Sequence, residues 1–403
     1  MAPGGPQAVD AVGPKAMIRT YLDYNATAPL RPEARAAALA ALDAPGNPSS
    51  VHAEGRAARL IVEEARAEAA KLTGVQAQCV TFGSGGAEAA NAALNPFFGG
   101  GTNAPSLDRL ILAAGEHACV LAGHRFPPAA VERAPLRTDG RIDLDWLDAA
   151  CARPGRSLLS LQAANNETGV IQPVAEAAAL VHAAGGFVFC DAVQLAGRGD
   201  CRLAALGADV VALSAHKLGG PKGAGALVTA RPGLSLGEAL IKGGGQERGA
   251  RAGTENVPAI AGFGAAVRAS LADQRRESER LLALRERVEA AVRACAPDAV
   301  VFGQAAPRLP NTVCFSAPGV EAATLVIALD LAGVAVSSGS ACSSGKVAPS
   351  HVLAAMGAPS ALAKGAIRVS LGWGSSAADV DRFAAALADC LRRIRSRRRA
   401  TAH

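Results

Sequence analysis

The residues SAHKLGGPKG, 214–223, place a histidine beside a lysine where an apolar run ends and glycines begin. The run before them, VVALS at 210–214, is apolar and rich in β-branched residues, which predicts a buried strand. A lysine at the end of a buried strand is costly to desolvate unless it is paired or covalently bonded. Most lysines in glycine loops are simply solvated, so a functional role for Lys217 needs support from other parts of the sequence.

Two further predicted strands also end in polar residues. These residues are Asp191 and Gln194 in CDAVQ, and Asn165, Asn166 and Glu167 in ANNETG. The carboxyl ends of parallel strands lie along one edge of a sheet, so these side chains should meet near Lys217. Asp191 alone could merely cap a helix. Together, however, the lysine and the aspartate are the pair that a pyridoxal phosphate site needs. The lysine bonds to the cofactor, and the aspartate keeps the pyridine nitrogen protonated.

A phosphate cradle is predicted in FGSGGAEAANAAL, residues 82–94. Three glycines lie between a predicted strand and a predicted helix, where backbone N–H groups and the positive end of the helix dipole attract an anion. Glycines also occur in tight strand-to-helix turns that bind nothing, so this pattern gains weight only beside Lys217 and Asp191.

The order of predicted elements indicates an α/β fold. Short apolar segments alternate with alanine-rich helical segments such as 174–186, which predicts a large, doubly wound, mostly parallel sheet. Residues 260–296 predict a long amphipathic helix with one break, followed by a smaller α+β unit. The predicted strands of the large sheet are 79–82, 109–113, 157–162, 187–191, 210–214 and 225–229.

Composition narrows the classes of protein further. Half of the 403 residues are hydrophobic and 19% are charged, which predicts a large packed core. No apolar run approaches the ~20 residues of a membrane span, and the N-terminus does not resemble a secretory signal. The nine cysteines are scattered, so neither a disulfide framework nor a zinc site is indicated, and a reducing cytoplasm is the expected location.

Basic charge is concentrated at the C-terminus. The net charge is +6, and six arginines lie within residues 392–399, so the rest of the chain is close to neutral. A solvated helix end is the simplest interpretation, and docking of an acidic protein stays open. Nucleic-acid binding is not expected, because no aromatic residues or spread basic face accompany the tail.

Motifs along nearly the whole chain, from about residue 20 to 385, resemble the cysteine desulfurases in the class V aminotransferase branch of the fold-type I pyridoxal-phosphate enzymes. The resemblance implies the fold-type I transferase fold, a homodimer, and pyridoxal 5'-phosphate as cofactor. The matching stretches are YLDYNATAP (21–29), GNPSSVH (46–52), FGSGGAEAAN (82–91), GEHACV (115–120), ANNETGVIQP (164–173), CDAVQ (190–194), SAHKLGGPKGAGAL (214–227), GGGQERGARAGTEN (243–256), SSGSACSSG (337–345) and IRVSLG (367–372).

The same resemblance suggests a division of the chain. We expect a flexible extension at 1–17, an N-terminal segment at 18–30 that joins the small domain, and a large cofactor-binding domain at 31–265. A small C-terminal domain at 266–390 should carry a mobile loop at 337–350, and the basic tail follows at 391–403.

The resemblance also implies a role for each candidate site residue. Lys217 would carry the cofactor and then act as a base, Asp191 would pair with the pyridine nitrogen, and His117 would stack on the ring and relay protons as a catalytic residue. Arg368 would clamp the substrate carboxylate with a two-pronged hydrogen bond, with Asn166 beside it. The remaining cofactor contacts would come from Asn166 and Gln194 on the ring's hydroxyl side, from Gly86, Ala87, Ser214 and His216 at the phosphate, and from Thr254 of a partner subunit.

One position departs from the family pattern. Family members commonly have a threonine after the glycine turn, where this chain has Ala87. A hydroxyl contact to the phosphate is therefore missing, and we expect weaker cofactor retention rather than an inactive site.

Cys342 distinguishes among the related reactions. It lies in SSGSACSSGKVAPS, residues 337–350, a serine- and glycine-rich stretch typical of a mobile loop. A cysteine in such a loop is a better candidate nucleophile than Cys79, Cys190 or Cys314, which read as packing residues. The resemblance implies that Cys342 takes sulfur from L-cysteine as a persulfide and passes it to an iron–sulfur scaffold protein. By the same analogy, Cys342 could be a transient iron–sulfur ligand shared with that scaffold.

Three alternatives to a cysteine desulfurase stay open at this point. Another class V aminotransferase would use Lys217 and Asp191 without needing the loop cysteine. A selenocysteine lyase would use similar residues on selenium. A non-enzymatic sulfur carrier would need only Cys342, and the intact lysine–aspartate pair argues against it.

Overall fold

The computed structural model describes residues 19–99, 106–339 and 350–401. The strands are β1 Thr20–Tyr21, β2 Val80–Gly83, β3 Arg109–Ala113, β4 Val131–Ala134, β5 Ser157–Ser160, β6 Phe187–Asp191, β7 Val210–Ser214, β8 Gly225–Thr229, β9 Val300–Val301, β10 Thr312–Ser316, β11 Val334–Ala335, β12 Ser337–Ser338 and β13 Ala366–Ser370. The helices are α1 Pro32–Asp43, α2 Ala53–Thr73, α3 Gly86–Ala93, α4 Ala118–Leu121, α5 Leu144–Cys151, α6 Val174–Ala183, α7 Leu203–Leu206, α8 Val257–Ala272, α9 Gln274–Cys295, α10 Ala322–Leu331, α11 His351–Ala355, α12 Ser360–Lys364 and α13 Ala377–Thr401.

The large sheet has seven strands in the order β2-β8-β7-β6-β5-β3-β4. Neighbours from β7 to β4 are parallel, and β8 is antiparallel to both β2 and β7, so the predicted mostly parallel α/β sheet is confirmed. All six predicted strands are present. The unpredicted strand is β4, whose sequence VERA is only partly buried and lacks the apolar run that identified the others.

Alternating side chains of the central strands supply two cores, one on each face of the sheet. Phe189 and Val210 face the core that contains α3 and α4, whereas Cys190 and Val211 face the core that contains α2, α5, α6 and α8. Because both faces are covered, β5, β7 and β8 are buried at every residue, as their continuous apolar sequences require. Each fully buried aliphatic or aromatic side chain contributes roughly 1.5–3 kcal/mol.

A second, smaller sheet has the order β12-β13-β10-β9, and its registered neighbours are antiparallel. Phe315 and Phe383 lie in its core with residues of α9, α10 and α13. The predicted long helix is two helices, α8 and α9, and the break falls at Asp273. Strand β1 pairs in parallel with β11, where Thr20 faces Val334, so the start of the described chain joins this part of the fold. The domain boundaries themselves stay a prediction.

Within residues 19–99, 106–339 and 350–401, no helix combines the length and the apolar character needed to cross a membrane. The cysteines described in these ranges are all free, and Cys79, Cys190 and Cys314 are buried, as predicted for packing residues. The N-terminal extension and most of the 337–350 segment lie outside the described residues.

Candidate active site

A cavity of about 350 Å³ lies where β5, β6 and β7 end. Its lining includes every predicted site residue except Thr254 and Cys342. The predicted residues that line it are Gly86, Ala87, His117, Asn166, Asp191, Gln194, Ser214, His216, Lys217 and Arg368. The parallel strand ends therefore bring together residues that are far apart in the sequence.

Lys217 ends the short 3₁₀ turn that follows β7. Its ammonium group donates hydrogen bonds to the backbone carbonyls of Asn25 and Ala26, the latter at 2.9 Å. A return contact runs from the Ala28 N–H to the His216 carbonyl at 2.9 Å. The segment YLDYNATAP therefore closes one side of the cavity and holds the lysine inside it.

Asp191 is the last residue of β6 and accepts a hydrogen bond from the Val193 N–H at 2.9 Å. Burial raises the pKa of this carboxyl group, although the Val193 N–H and the positive charges of His117 and Lys217 act in the opposite direction. A cationic group bound against Asp191 would favour its ionised form.

Glu116 lies in the core beside Asp191 and was not predicted. One oxygen, Oε1, accepts from the Gln162 N–H at 2.6 Å, and Oε2 is buried without a partner. Burial, assisted by the negative charge of Asp191, raises the pKa of Glu116 to about 8. Glu116 therefore holds its proton to a higher pH than an ordinary carboxyl group does.

His117 caps the N-terminus of α4 with its own ring. Its Nδ1 accepts from the Cys119 N–H at 3.2 Å, and the Cys119 sulfur lies 3.0 Å from the same nitrogen. Because Nδ1 accepts a backbone hydrogen bond, the neutral ring carries its proton on Nε2. This arrangement fixes both the orientation and the tautomer of the imidazole.

Arg368 reaches the cavity from β13 of the small sheet. Its Nη1 donates to the Asn166 carbonyl at 3.0 Å and its Nη2 to Asp23 Oδ1 at 2.6 Å. The Nε atom is buried and has no partner. Asp23, which was not predicted, also accepts from the Ser337 hydroxyl at 2.8 Å. The guanidinium is thus held by two acceptors and keeps donor capacity for an anion.

The glycine turn at residues 83–86 opens α3 at the cavity wall. A side chain at Gly225 would put its Cβ 2.5 Å from the Gly85 Cα, so β8 can pass beneath the turn only with glycine there. Burial and the charges of Lys217 and Lys222 lower the pKa of His216 to about 4. The cavity therefore offers backbone N–H groups at this turn and, elsewhere in its lining, the neutral imidazole of His216.

Thr254 lies apart from the cavity within one chain. It is exposed beside a separate pocket of about 180 Å³. The preceding turn is held by Glu247, which accepts from Arg66 Nη1 at 2.7 Å and from the Phe82 N–H at 2.9 Å. Glu247 and Arg248 have φ values of 47° and 58°, which side-chain-bearing residues rarely adopt. This turn is therefore built into a strained but firmly held shape.

Cys342 lies outside the described residues, so its predicted roles as nucleophile and as metal ligand stay predictions. In the part of the chain that the structure describes, no group of three or more His, Cys, Asp or Glu side chains is arranged to hold a metal ion.

Sequence reasoning missed several residues that line the cavity, namely Asn25, Ala26, Cys119, Gln162, Ala164 and Val193. Most of them lie inside the motifs that carried the family resemblance, so their positions were available from the sequence. Their contributions were not, because Asn25 and Ala26 act through backbone carbonyls and Cys119 is in contact with the His117 ring, which a sequence pattern does not show.

Comparisons with known proteins agree with this geometry. Residues 20–383 match the family described as Aminotransferase class-V. A cysteine desulfurase from Cereibacter sphaeroides is 42% identical over 386 residues, which is 94% of this chain and 97% of that protein. Among solved structures, a NifS-like protein from Rickettsia africae is 31% identical, with a TM-score of 0.83 over 92% of this chain and 99% of that one. A structure described as SspA in complex with cysteine is 27% identical, with a TM-score of 0.74 over 88% of this chain and 99% of that one.

The fold and the cavity define an α/β enzyme of the fold-type I class. The chain belongs to the class V aminotransferase family and, within it, to the cysteine desulfurases.

Proposed function

We propose that this enzyme removes the sulfur atom of L-cysteine with the help of pyridoxal 5'-phosphate, leaving L-alanine and a persulfide on Cys342. The observation that carries the proposal is the convergence of Lys217, Asp191, His117 and Arg368 on one cavity of about 350 Å³. A covalent anchor, a carboxylate, an imidazole and a carboxylate clamp are the groups that this reaction needs.

The residues of the cavity fit the cofactor by their chemistry. Lys217 would bond to its aldehyde, Asp191 would pair with the pyridine nitrogen, and Asn166 and Gln194 would contact the ring's hydroxyl side. The backbone of the glycine turn, which packs against Gly225, would receive the phosphate together with Ser214 and the neutral His216. When bound, pyridoxal 5'-phosphate supplies an electron-accepting ring that stabilises negative charge on the substrate's α-carbon.

The substrate would be oriented by its carboxylate. Arg368 retains an unpartnered, buried Nε donor, and its two Nη atoms are already oriented by Asp23 and the Asn166 carbonyl. A carboxylate bound to this group would exchange an unsatisfied donor for a charge-assisted hydrogen bond. L-Cysteine would thereby present its α-hydrogen and its thiol to the interior of the cavity.

Proton transfer would be divided between Lys217 and His117. The Lys217 amine would take the α-proton, because the carbonyls of Asn25 and Ala26 hold this amine within the cavity. His117 carries its proton on Nε2 when neutral and would deliver or receive a proton there. A proton at a defined atom of each residue is what general acid–base catalysis requires.

The sulfur itself would go to Cys342. Its thiolate would attack the substrate sulfur, the new S–S bond would form as the C–S bond breaks, and the carbon fragment would be protonated to give alanine. Delivery of this sulfur to an iron–sulfur scaffold protein, with Cys342 as a transient cluster ligand, completes the proposal. The cluster in that step is cargo rather than a resident cofactor.

We also propose that the enzyme works as a homodimer. Thr254 is exposed and outside its own chain's cavity, and the strained turn at Glu247 holds its loop at the surface. Such a loop could contribute Thr254 to the phosphate of a second copy. The cytoplasmic location expected from the unpaired cysteines remains part of this proposal.

The test is an assay of the purified, cofactor-loaded protein with L-cysteine and a reductant, scored for sulfide and alanine in equal amounts. Cys342→Ser should reduce sulfide release by orders of magnitude while the absorbance of the bound cofactor stays unchanged. Normal sulfide release by this variant would show that the nucleophile is misassigned. Alanine formed faster from selenocysteine than from cysteine would favour a selenocysteine lyase. Amino-group transfer without sulfide would favour an aminotransferase.

A further inference from the structure

The candidate cavity contains a second thiol that the proposed reaction does not use. Cys119 lines the cavity and is half-buried, and its sulfur lies 3.0 Å from Nδ1 of His117. Among the cysteines of residues 19–99, 106–339 and 350–401, it alone lines this cavity. A cysteine in contact with a histidine inside a substrate cavity is the arrangement that generates nucleophilic thiolates in other enzymes.

The Cys119 thiol lies within reach of a base. The Nδ1 atom of His117 accepts from the Cys119 N–H and lies 3.0 Å from the Cys119 sulfur, so its lone pair is within reach of the thiol proton. Lys217 and Arg368 line the same cavity and place positive charge there. By contrast, burial raises the pKa of Cys201 to about 12 and that of Cys190 well above the ordinary value, so these thiols are inert.

A separate observation points to an anionic ligand in the same cavity as this thiol. Arg368 is 1% exposed, lines the cavity, and has a buried Nε atom without a partner. An unsatisfied buried guanidinium donor costs free energy unless a ligand completes it. A carboxylate held there places the rest of an amino-acid substrate in the same cavity as Cys119.

We infer that Cys119 is a second sulfur-accepting residue, which can take one sulfur atom from L-cysteine inside the cavity and hold it as a persulfide. The inference rests on the proposed desulfurase activity. The Cys119 proton passes to His117 Nδ1, and the thiolate sulfur attacks the substrate sulfur. The S–S bond forms, the substrate C–S bond breaks, and its electron pair stays with the carbon fragment. That fragment takes up a proton and becomes alanine, so no external oxidant or reductant is consumed.

The position of Cys119 limits what this persulfide can do. The residue lies in α4, and its backbone N–H is bonded to His117. A sulfur atom held there stays inside the cavity, so a chain without Cys342 should bind at most one sulfur and stop. Cys119 therefore accepts sulfur once per chain and does not pass it on to a partner protein.

The experiment uses the cofactor-loaded Cys342→Ala protein mixed with L-cysteine, alkylated and mapped by peptide mass spectrometry. We expect one additional sulfur on the peptide that contains Cys119 and up to one alanine per chain. Cys342→Ala/Cys119→Ala should lose both signals. Cys342→Ala/Cys295→Ala is the matched control and should keep both, because Cys295 has similar partial exposure but lies outside the cavity. In cofactor-loaded Cys342→Ala without substrate, iodoacetamide should alkylate Cys119 faster than Cys295.

Cys342→Ala/Cys119→Ser separates sulfur acceptance from a positioning effect on His117. Serine can still donate to Nδ1 but cannot hold sulfur, so alanine formation should be lost. Alanine formed by this double variant at the rate of Cys342→Ala would overturn the inference. The inference would also be overturned if Cys342→Ala formed alanine without sulfur on Cys119. The same holds if Cys342→Ala gave neither alanine nor sulfur on Cys119 while the unaltered enzyme made alanine. If the unaltered enzyme makes neither alanine nor persulfide, the proposed function fails as well.

Discussion

Two buried arginines of this protein use their guanidinium groups in opposite ways. Arg66 is 3% exposed and every nitrogen has an acceptor: Nε binds Glu63, Nη1 binds the Val80 carbonyl and Glu247, and Nη2 binds Glu247. Its guanidinium also lies 4.9 Å from the centre of the Phe82 ring. This arginine is complete without a ligand.

Arg368 is equally buried, at 1% exposure, but one of its nitrogens has no hydrogen-bond partner. Asp23 and the Asn166 carbonyl take one hydrogen bond each, and Nε is left without a partner at the wall of the cavity. A buried charge is normally paired and fully hydrogen-bonded, so a missing acceptor needs an explanation. The two arginines differ in place as well as in pairing: Arg66 braces the Glu247 turn, whereas the open Nε of Arg368 lies in a residue that lines the cavity, where a substrate carboxylate would complete its hydrogen bonds.

The largest effect should come from removing Arg66, the arginine whose hydrogen bonds are all satisfied. Arg66→Ala leaves the Glu247 carboxylate buried and unpaired and releases the strained turn, so we expect a loss of about 3–5 kcal/mol in the free energy of unfolding. Denaturant titration of the purified protein measures it. Arg268→Ala, which breaks an exposed pair with Glu68, is the control and should cost less than about 1 kcal/mol. Equal losses in the two variants would contradict the structural role assigned to Arg66.

Removing the incomplete arginine should affect catalysis more than folding. Arg368→Gln deletes a charge-assisted contact worth about 2–4 kcal/mol to a bound carboxylate, so KM for L-cysteine should rise roughly 30- to 1000-fold. Steady-state kinetics measures the change. The loss in unfolding free energy should be smaller than that of Arg66→Ala. An unchanged KM with a large loss of stability would reverse the comparison.

Glu116 extends the comparison to a buried carboxyl group. Like Arg368 it is only partly hydrogen-bonded, because one of its two oxygens has no partner. Its folded-state pKa of about 8 is raised above the unfolded value, so the native state retains a proton that the unfolded chain releases. Its contribution to stability is therefore complete below about pH 4.5 and is lost as pH rises towards 8, by at most about 1.4 kcal/mol per pH unit.

Glu116→Gln keeps the acceptor for the Gln162 N–H and cannot ionise. The variant should gain stability relative to the unaltered protein between about pH 4.5 and 8, as followed by denaturant titrations at several pH values. Asp191 titrates in both proteins, so only their difference is interpreted. A difference that does not change with pH would mean that Glu116 is ionised in the folded protein.

The smallest effect is expected at the glycine turn. Ala87 is exposed at the cavity and offers no hydroxyl, so Ala87→Thr should slow cofactor loss on dialysis by roughly tenfold through one added hydrogen bond to a charged group. Ala87→Val, which has the same branched shape without the hydroxyl, is the control. Equal cofactor loss from the threonine and valine variants would argue against a phosphate contact at this position.

Much of the site was predictable because the carboxyl ends of parallel strands lie along one edge of a sheet. Asp191 and Ser214 end the buried strands β6 and β7, and Lys217 follows within one turn, so a parallel sheet must bring them together. Arg368 could not be placed in this way. It comes from a second sheet, and its approach to the cavity depends on how the two parts of the fold pack.

Other features depend on burial and backbone contacts that a sequence pattern does not contain. The raised pKa of Glu116 follows from complete burial beside Asp191, and the hold on Lys217 comes from carbonyl groups that any residue type could supply. The half-exposed strand β4 was missed for a related reason, since only buried strands carry a continuous apolar run. Sequence patterns thus predicted elements and strand-end chemistry, but not the electrostatic environment between them.

The central claim is that Lys217 is the residue to which the cofactor is bonded. Borohydride reduction of the protein loaded with pyridoxal 5'-phosphate, followed by proteolysis and peptide mapping, tests it most directly. We predict a single stable adduct on the peptide containing Lys217, and its disappearance when L-cysteine is added before the reduction. An adduct on another lysine, or no adduct in fully loaded protein, would contradict the account.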